Sequence, residues 1–589
     1  MTPRSMDYLP TLDQLNTSVP DDLNVHSVAQ DWLSSFTKAV NAQNIPSIMD
    51  TIHPDGWWRD LVALTWDLRT FHGAGRIRTF LSDRLVESKF IVIPDLVSAQ
   101  LLKPFPDIVE IVAQFNFTVE AGTGIGTAFL VPTASGEWKA FILCTDLDSI
   151  KGTQEAFGRA REQAFEEKDP EVLVVGAGQA GLDLAARLKN LGVSTLVVDK
   201  NENVGDQWRR RYDSLRLHDF VWLNHLPYMK FPDSFPVHIP CKKLADWLAL
   251  YATAMDLNIW TSTAVSKAMQ DEKTGKWAVT VTKSDGSERI LNVDHVVFAT
   301  GWVGEPHKPE FPSREKFKGQ VLHSSEYSNP RNYIGKKVLV VGACTSGHDI
   351  SADCAHYGID VTMFQRSSTF MLRVEDFKLA LSPLYREGGP PTEVADRMLS
   401  AIPNAYTKLL GPREVGYINH VDGERRRKLE SLGYRMNEGV DGATGSFWVL
   451  VSRAGGQYVD QGACDLILEG KIKMKSGTQI ECYTPTGVRF QDGTEVAADV
   501  VVLATGYGDI RDPIRSIVGD EIGKKLTKIW GVNEEGELNS MYKEMGVSGL
   551  WYISGSLGFC RIYSKHLALQ LKAKQMGLFT TRYSAAPVY

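Results

Sequence analysis

The chain of 589 residues has no apolar run approaching the roughly eighteen residues that a membrane-spanning helix needs. Its opening stretch, MTPRSMDYLPTLDQ, lacks the basic, apolar and small-residue regions of a secretory signal, so the expected address is the cytosol, with no membrane span. Cysteine is sparse. The seven residues (Cys144, Cys241, Cys344, Cys354, Cys464, Cys482, Cys560) include no CxxC pairing, which excludes a disulfide framework and a zinc-type spacing and predicts reduced thiols and no metal site. Positive charge is also short: 64 Lys and Arg against 71 Asp and Glu give a net charge of -7, with no basic excess to neutralise nucleic-acid phosphates. The one basic cluster, GERRRKLESLGYR at 423–435, reads as a solvated helix face.

What is present is a globular composition, 43% hydrophobic and 23% charged, at a length that predicts three or four domains. The first 25 residues are polar and read as an arm. From Val28 onward, helical spacing gives way to strand-like stretches such as IVEIVAQFNFTVE and EWKAFILCTDLDSI, which predicts a small α+β domain within residues 1–155. A charged helical linker, GTQEAFGRAREQAFEEKDPEV, follows. The text then becomes β-α-β: EVLVVGAGQAGLDLAARLKNLGVSTLVVDK gives a strand, a Gly turn, a helix and a second strand ending in an acid. Residues 336–368 repeat the unit. HVVFATGW (295–302) and DVVVLATGY (499–507) read as strands returning to each nucleotide-binding sheet. The fold class expected is therefore α/β, with two Rossmann-type units. Residues 165–330 and 496–589 form the first nucleotide domain, and 331–495 the second, with an irregular helical insertion at 374–455 that shapes a substrate entrance.

In the first unit Gly176, Gly178 and Gly181 permit, in order, a sharp turn, backbone approach to a pyrophosphate and close helix packing. Asp199 can accept hydrogen bonds from both hydroxyls of an adenosine ribose and would repel a 2′-phosphate, so this site suits FAD. The second unit, VLVVGACTSGHD, carries Gly342 and Gly347 but has Cys344 where the middle glycine is expected. Ser346, Gly347, His348 and Asp349 fall on its first helical turn, expected to face pyrophosphate. Its second strand ends in Gln365-Arg366-Ser367; a guanidinium and a hydroxyl in place of a carboxylate suit the 2′-phosphate of NADPH.

From about residue 170 the chain resembles the flavin-containing monooxygenases, the class B flavoprotein oxygenases. FKGQVLHSSEY matches their FxGxxxHxxxY signature through Phe317, Gly319, His323 and Tyr327 and lies between the two units, as in that family. VGDQWRRRYDSLRLH resembles the stretch that places Gln207 and Trp208 along the FAD, and SGSLGFCRIYSKHLALQ (554–570) resembles the flavin-closing loop and helix. The resemblance implies a monooxygenase that uses NADPH, FAD and O₂ to insert one oxygen atom into a small organic substrate through a flavin C4a-hydroperoxide. It acts by N/S-oxygenation or oxidative decarboxylation of a keto acid, with Baeyer-Villiger insertion as the alternative. His218 falls where related enzymes often carry an Asn near the flavin, which brings the match closer to plant-type indole-3-pyruvate monooxygenases and makes His218 the candidate catalytic residue. Tyr327 in place of a Trp argues against a Baeyer-Villiger enzyme. Residues 200–240 hold no cysteine, which argues against a dithiol-disulfide reductase; a nucleotide-sensing scaffold with a vestigial flavin site would be colourless. Homodimerisation is compatible with this reading. The N-terminal part resembles NTF2-like, SnoaL-like cone domains, with Asp60, His72, Trp57, Trp58 and Trp66 as the residues that would line or fill a cavity.

Overall fold

A computed structural model describes residues 8–153, 168–302, 304–579 and 581–584. Most of the charged segment expected as a linker lies outside the described residues. The N-terminal unit begins with two helices, Val25–Asn41 and Ile45–Asp50, whose first turns are closed by Asn24 and Asn44 side chains accepting from the Ser27 and Ser47 amides. Ala29, Trp32, Leu33, Phe36 and Val40 form the buried stripe of the longer helix, at the i, i+3, i+4 spacing of an amphipathic face. They pack on a six-stranded sheet in which Ile52–Leu61 runs parallel to Trp138–Ile150 and every other pairing is antiparallel. The polar segment before it is not a free arm: Leu15 is buried, the Leu12 amide donates to Asp107 O at 2.9 Å, and Tyr8 donates to Asp55 at 3.0 Å.

Period-2 alternation in Ile52–Leu61 decides what each face of this sheet meets. Trp58 points to the helices, its ring 6.2 Å from Phe36 and 5.7 Å from Phe80, and Asp60 is buried on the same side. Trp57 and Arg59 point the other way, toward the remainder of the chain. The five residues expected at one cavity are thus divided. Trp66 sits apart in a turn, 5.1 Å from Phe579.

Two sheets carry the β-α-β units, the second parallel throughout and the first parallel apart from its antiparallel edge strand Lys543–Glu544. In the first, the strand order is Lys543–Glu544, Leu550–Tyr552, His295–Phe298, Val172–Val175, Thr195–Val198, Ile259–Trp260. In the second it is Gln320–His323, Val500–Leu503, Lys337–Val341, Asp360–Gln365, Ile472–Ser476. The strands before both Ala-Thr-Gly segments therefore do return beside the glycine-bearing strand, His295–Phe298 on Val172–Val175 and Val500–Leu503 on Lys337–Val341. Residues 374–455 hold four helices, Val374–Leu381, Thr392–Ala401, Asn404–Ser431 and Gly445–Arg453. The basic run on the third is only partly a solvated face. Arg426 is buried and donates to Met371 O at 2.9 Å, and Arg425 donates to Asp465 at 2.8 Å, because the strand Thr369–Arg373 and the short helix Ala463–Leu468 cover that side.

Charged side chains join the N-terminal sheet to the rest of the chain. Arg59, 2% exposed, meets Glu537, 1% exposed, through two hydrogen bonds of 2.7 and 2.8 Å, and donates again to Ser400 O at 2.6 Å. His566 reaches Asp146 at 2.9 Å and Arg413 grips Asp107 with two bonds of 2.6 Å.

Candidate active site

The first glycine turn is held by its own sheet. Gly176 has φ +113°, and a Cβ there would lie 2.5 Å from Ala299 O; a Cβ on Gly181 would lie 2.0 Å from Gly176 O. Both positions exclude a side chain on protein grounds alone. Gly178 is different: its φ is -79°, and a Cβ would meet only the Gln207 Nε2 at 3.4 Å. That nitrogen is itself buried without a hydrogen-bond partner among the described residues. An open middle position faced by an orphaned donor fits a ligand that fills the turn. Asp199 is buried at the end of the second strand; it accepts from the Ala177 amide at 2.7 Å and the Asn201 amide at 2.8 Å, which couples the acid to the turn and leaves lone pairs for a ribose.

Gln179, which the spacing of the motif does not single out, ties three elements together. Its Oε1 accepts from Trp208 Nε1 at 3.4 Å, and its Nε2 donates to Gly555 O at 3.2 Å, just before the C-terminal helix Leu557–Gln575. Trp302 and Trp530 lie beyond the first Ala-Thr-Gly segment, with ring centres 4.5 Å apart, and Phe447 lies 6.4 Å from Phe559 on the first turn of that helix.

The second unit repeats the geometry. Gly342 has φ +124° with a Cβ position 2.2 Å from Ala504 O, and a Cβ on Gly347 would lie 2.0 Å from Gly342 O. Cys344 takes the middle position as N-cap of the helix Thr345–His356, with φ -102° and its side chain exposed. Gln365 stands where Asp199 stands in the first unit, but its amide is consumed by the Arg435 backbone at 2.8 and 2.6 Å. Arg366 and Ser367 are exposed at the strand end.

On the first helical turn the structure separates residues that the sequence groups. His348 does not face the turn. Its ring is buried, held by Cys344 O at 3.0 Å and Tyr434 Oη at 2.9 Å and stacked on Tyr458 at 3.8 Å, because position four of this helix points at the strand behind it. Burial pushes its pKa down to about 4. Asp349 instead accepts from Tyr212 at 2.8 Å and lies 3.5 Å from His218 Nε2. His218 is thus brought from the first unit against the helix of the second. Burial opposes its protonation, but the hydrogen bond and charge of Asp349 outweigh it and its pKa is raised.

The signature residues form a joint. His323 is buried with Nε2 3.0 Å from Gly506 O and Nδ1 2.9 Å from Ser325 Oγ, and burial lowers its pKa. Gly319 leaves room for Phe317 and Asp499 O, both 2.4 Å from its Cβ position, and Tyr327 donates to Asp353 at 3.2 Å.

The family described as pyridine nucleotide-disulphide oxidoreductase matches residues 173–426. The indole-3-pyruvate monooxygenase YUCCA1 of Oryza sativa subsp. japonica is 33% identical over 341 residues, 57% of this chain and 77% of its own. The chain belongs to the flavin-dependent monooxygenases. The YUCCA8 enzyme of Oryza sativa subsp. indica is 30% identical over 391 residues, 65% of this chain and 86% of its own. A solved steroid monooxygenase bound to NADP has a TM-score of 0.50 at 18% identity, covering 70% of this chain and 86% of that one, and shares the fold. This monooxygenase uses FAD and NADPH with O₂, acts on a small molecule, and has no helix among its described residues long and apolar enough to cross a membrane.

Proposed function

We propose that FAD occupies the first glycine turn and NADPH the second, and that the substrate is an aromatic 2-oxo acid undergoing oxidative decarboxylation. The assignment of the two nucleotides rests on one observation: at equivalent strand ends one unit presents the buried carboxylate of Asp199, while the other has Gln365 in that place and the exposed guanidinium of Arg366 next to it. A carboxylate accepts from ribose hydroxyls, whereas a guanidinium pairs with a 2′-phosphate. Ser367 adds a hydroxyl donor there. The first-turn amides and the orphaned Gln207 amide would hold the FAD pyrophosphate, with Trp208 alongside, and the Ser346 and Gly347 turn would receive that of NADPH.

Bound FAD, reduced by NADPH, supplies the activation of O₂ from which one oxygen atom reaches the substrate. The chain's own part is to orient and to exclude water. Two aromatic pairs, Trp302 with Trp530 and Phe447 with Phe559, adjoin segments that follow the carboxyl ends of the first sheet's strands, where ligands of such sheets bind, and they favour an aromatic substrate. The substrate named for the YUCCA relatives, indole-3-pyruvate, has this chemistry. His218, held by Asp349, which raises its pKa, would position the junction between the two nucleotides. For the N-terminal unit, the helix-then-sheet order supports an NTF2-like cone ending near residue 155. Product analysis with indole-3-pyruvate, phenylpyruvate and thioether substrates under ¹⁸O₂ tests the reading. It expects labelled arylacetate and CO₂, and sulfoxide as the sole labelled product would overturn it.

A further inference from the structure

A cavity of about 870 Å³ lies on the face of the N-terminal sheet opposite its helices, roofed by the helices Asn404–Ser431 and Gly445–Arg453 and by the loop at 532–536. Its wall is a parallel stack of Trp57 on His72, 3.7 Å apart and inclined by 5°. Cross-strand pairing sets this stack, because Trp57 and His72 are register partners. The Trp57 indole is 5% exposed, and its Nε1 has no hydrogen-bond partner among the described residues. A buried indole N–H without an acceptor is costly, and a ligand oxygen would relieve it.

Trp448 contributes a second aromatic surface, with Lys408 Nζ 5.2 Å from its ring centre. Arg76 and Lys408 on the rim are exposed and form no ion pair with any described residue; Glu534 and Asp441 also reach the rim. We propose that this cavity is a binding site for a planar aromatic carboxylate, its ring against Trp448 and its oxygens taken by Trp57 Nε1 and the rim cations. The site is separate from both glycine turns and does not depend on the proposed substrate. Trp448 faces the cavity while its neighbour Phe447 contacts Phe559 on the first turn of the C-terminal helix, so the occupied site adjoins the flavin side through one helix.

Calorimetric titration of the FAD-loaded enzyme with 2-naphthoate tests this, with 2-naphthylmethylamine and cyclohexanecarboxylate as charge and planarity controls. The expected result is saturable binding of one naphthoate with both controls at least tenfold weaker. Affinity should fall at least tenfold in Trp448→Ala and in the exposed pair Arg76→Glu with Lys408→Glu. The doubly charged variant keeps the test decisive should Trp448→Ala fold poorly. Absence of saturable binding, equal binding of the amine, or naphthoate affinity unchanged in the rim variant would overturn the proposal.

Discussion

Replacing Gly178 by alanine separates what the fold requires from what the ligand requires. The added methyl meets no protein atom closer than the Gln207 Nε2 at 3.4 Å, an ordinary contact, and φ is -79°, so the variant should fold with wild-type thermal stability in its FAD-free form. A methyl on Gly176 would instead strike Ala299 O at 2.5 Å with φ at +113°, so Gly176→Ala should destabilise the apoprotein itself. In the Gly178 variant the methyl occupies the space of the pyrophosphate. Forfeiting one hydrogen bond to a charged oxygen costs about 1.5–3 kcal/mol, which weakens FAD by roughly 10- to 150-fold. Gel filtration followed by the flavin absorbance per chain reads retention, and apoprotein melting reads the fold. Stoichiometric flavin in Gly178→Ala, or an apoprotein as unstable as Gly176→Ala, would refute the argument.

Cys344→Gly opens the corresponding position of the second unit; NADPH should bind about 3- to 10-fold more tightly, read from KM, with FAD retention unchanged. Loss of FAD there would show the two nucleotides to be exchanged. Arg366→Ala should raise KM for NADPH by roughly 10- to 100-fold and leave that for NADH alone, measured by initial rates. Arg59→Met or Glu537→Leu alone leaves a buried charge unpaired and should cost about 3–5 kcal/mol, while the double variant should recover most of it in urea denaturation; additive losses would count against the pair. His348 has a folded pKa of about 4 against 6.5 unfolded, so the unfolded chain binds the proton first. Its neutral, buried ring contributes stability that is complete above pH 6.5 and lost as pH falls toward 4, on the order of 3 kcal/mol. His348→Gln should flatten the melting-temperature profile across that window.

The glycine turns, the acid at the first strand end and the returning Ala-Thr-Gly strands were legible because each is a local pattern whose partners lie a few positions away or in the repeated unit. The division of Trp57 from Trp58 was not. Alternation puts adjacent residues on opposite faces, but only the structure says what each face meets, and Arg59 finds Glu537 across 478 positions. The inward turn of His348 is hidden for a related reason: in the helix that begins at Thr345 its ring points back into the fold, and the aromatic residues that receive it, Tyr434 and Tyr458, come from the insertion and the strand after it. Gln179 carried no signal at all, since the motif leaves that position unspecified.

The repeated unit gives its own internal control. In both copies a Cβ on the first glycine would lie 2.5 and 2.2 Å from the carbonyl of the alanine that ends the returning strand, and one on the third would lie 2.0 Å from the carbonyl of the first each time. Those clashes would be with protein alone, so they hold whatever nucleotide is bound, and neither position differs between the copies. The middle position meets no such barrier in either copy, and it is the one that differs, Gly178 against Cys344. A residue whose freedom is limited only by a ligand can change when the ligand's approach changes. The strand ends differ in another way: Asp199 holds the turn amide of Ala177, Gln365 holds the Arg435 backbone instead, and Arg366 beside it is exposed. The difference at the middle position therefore falls where the fold places no demand, and the strand ends differ in what they offer a nucleotide, a carboxylate in one copy and an exposed guanidinium in the other.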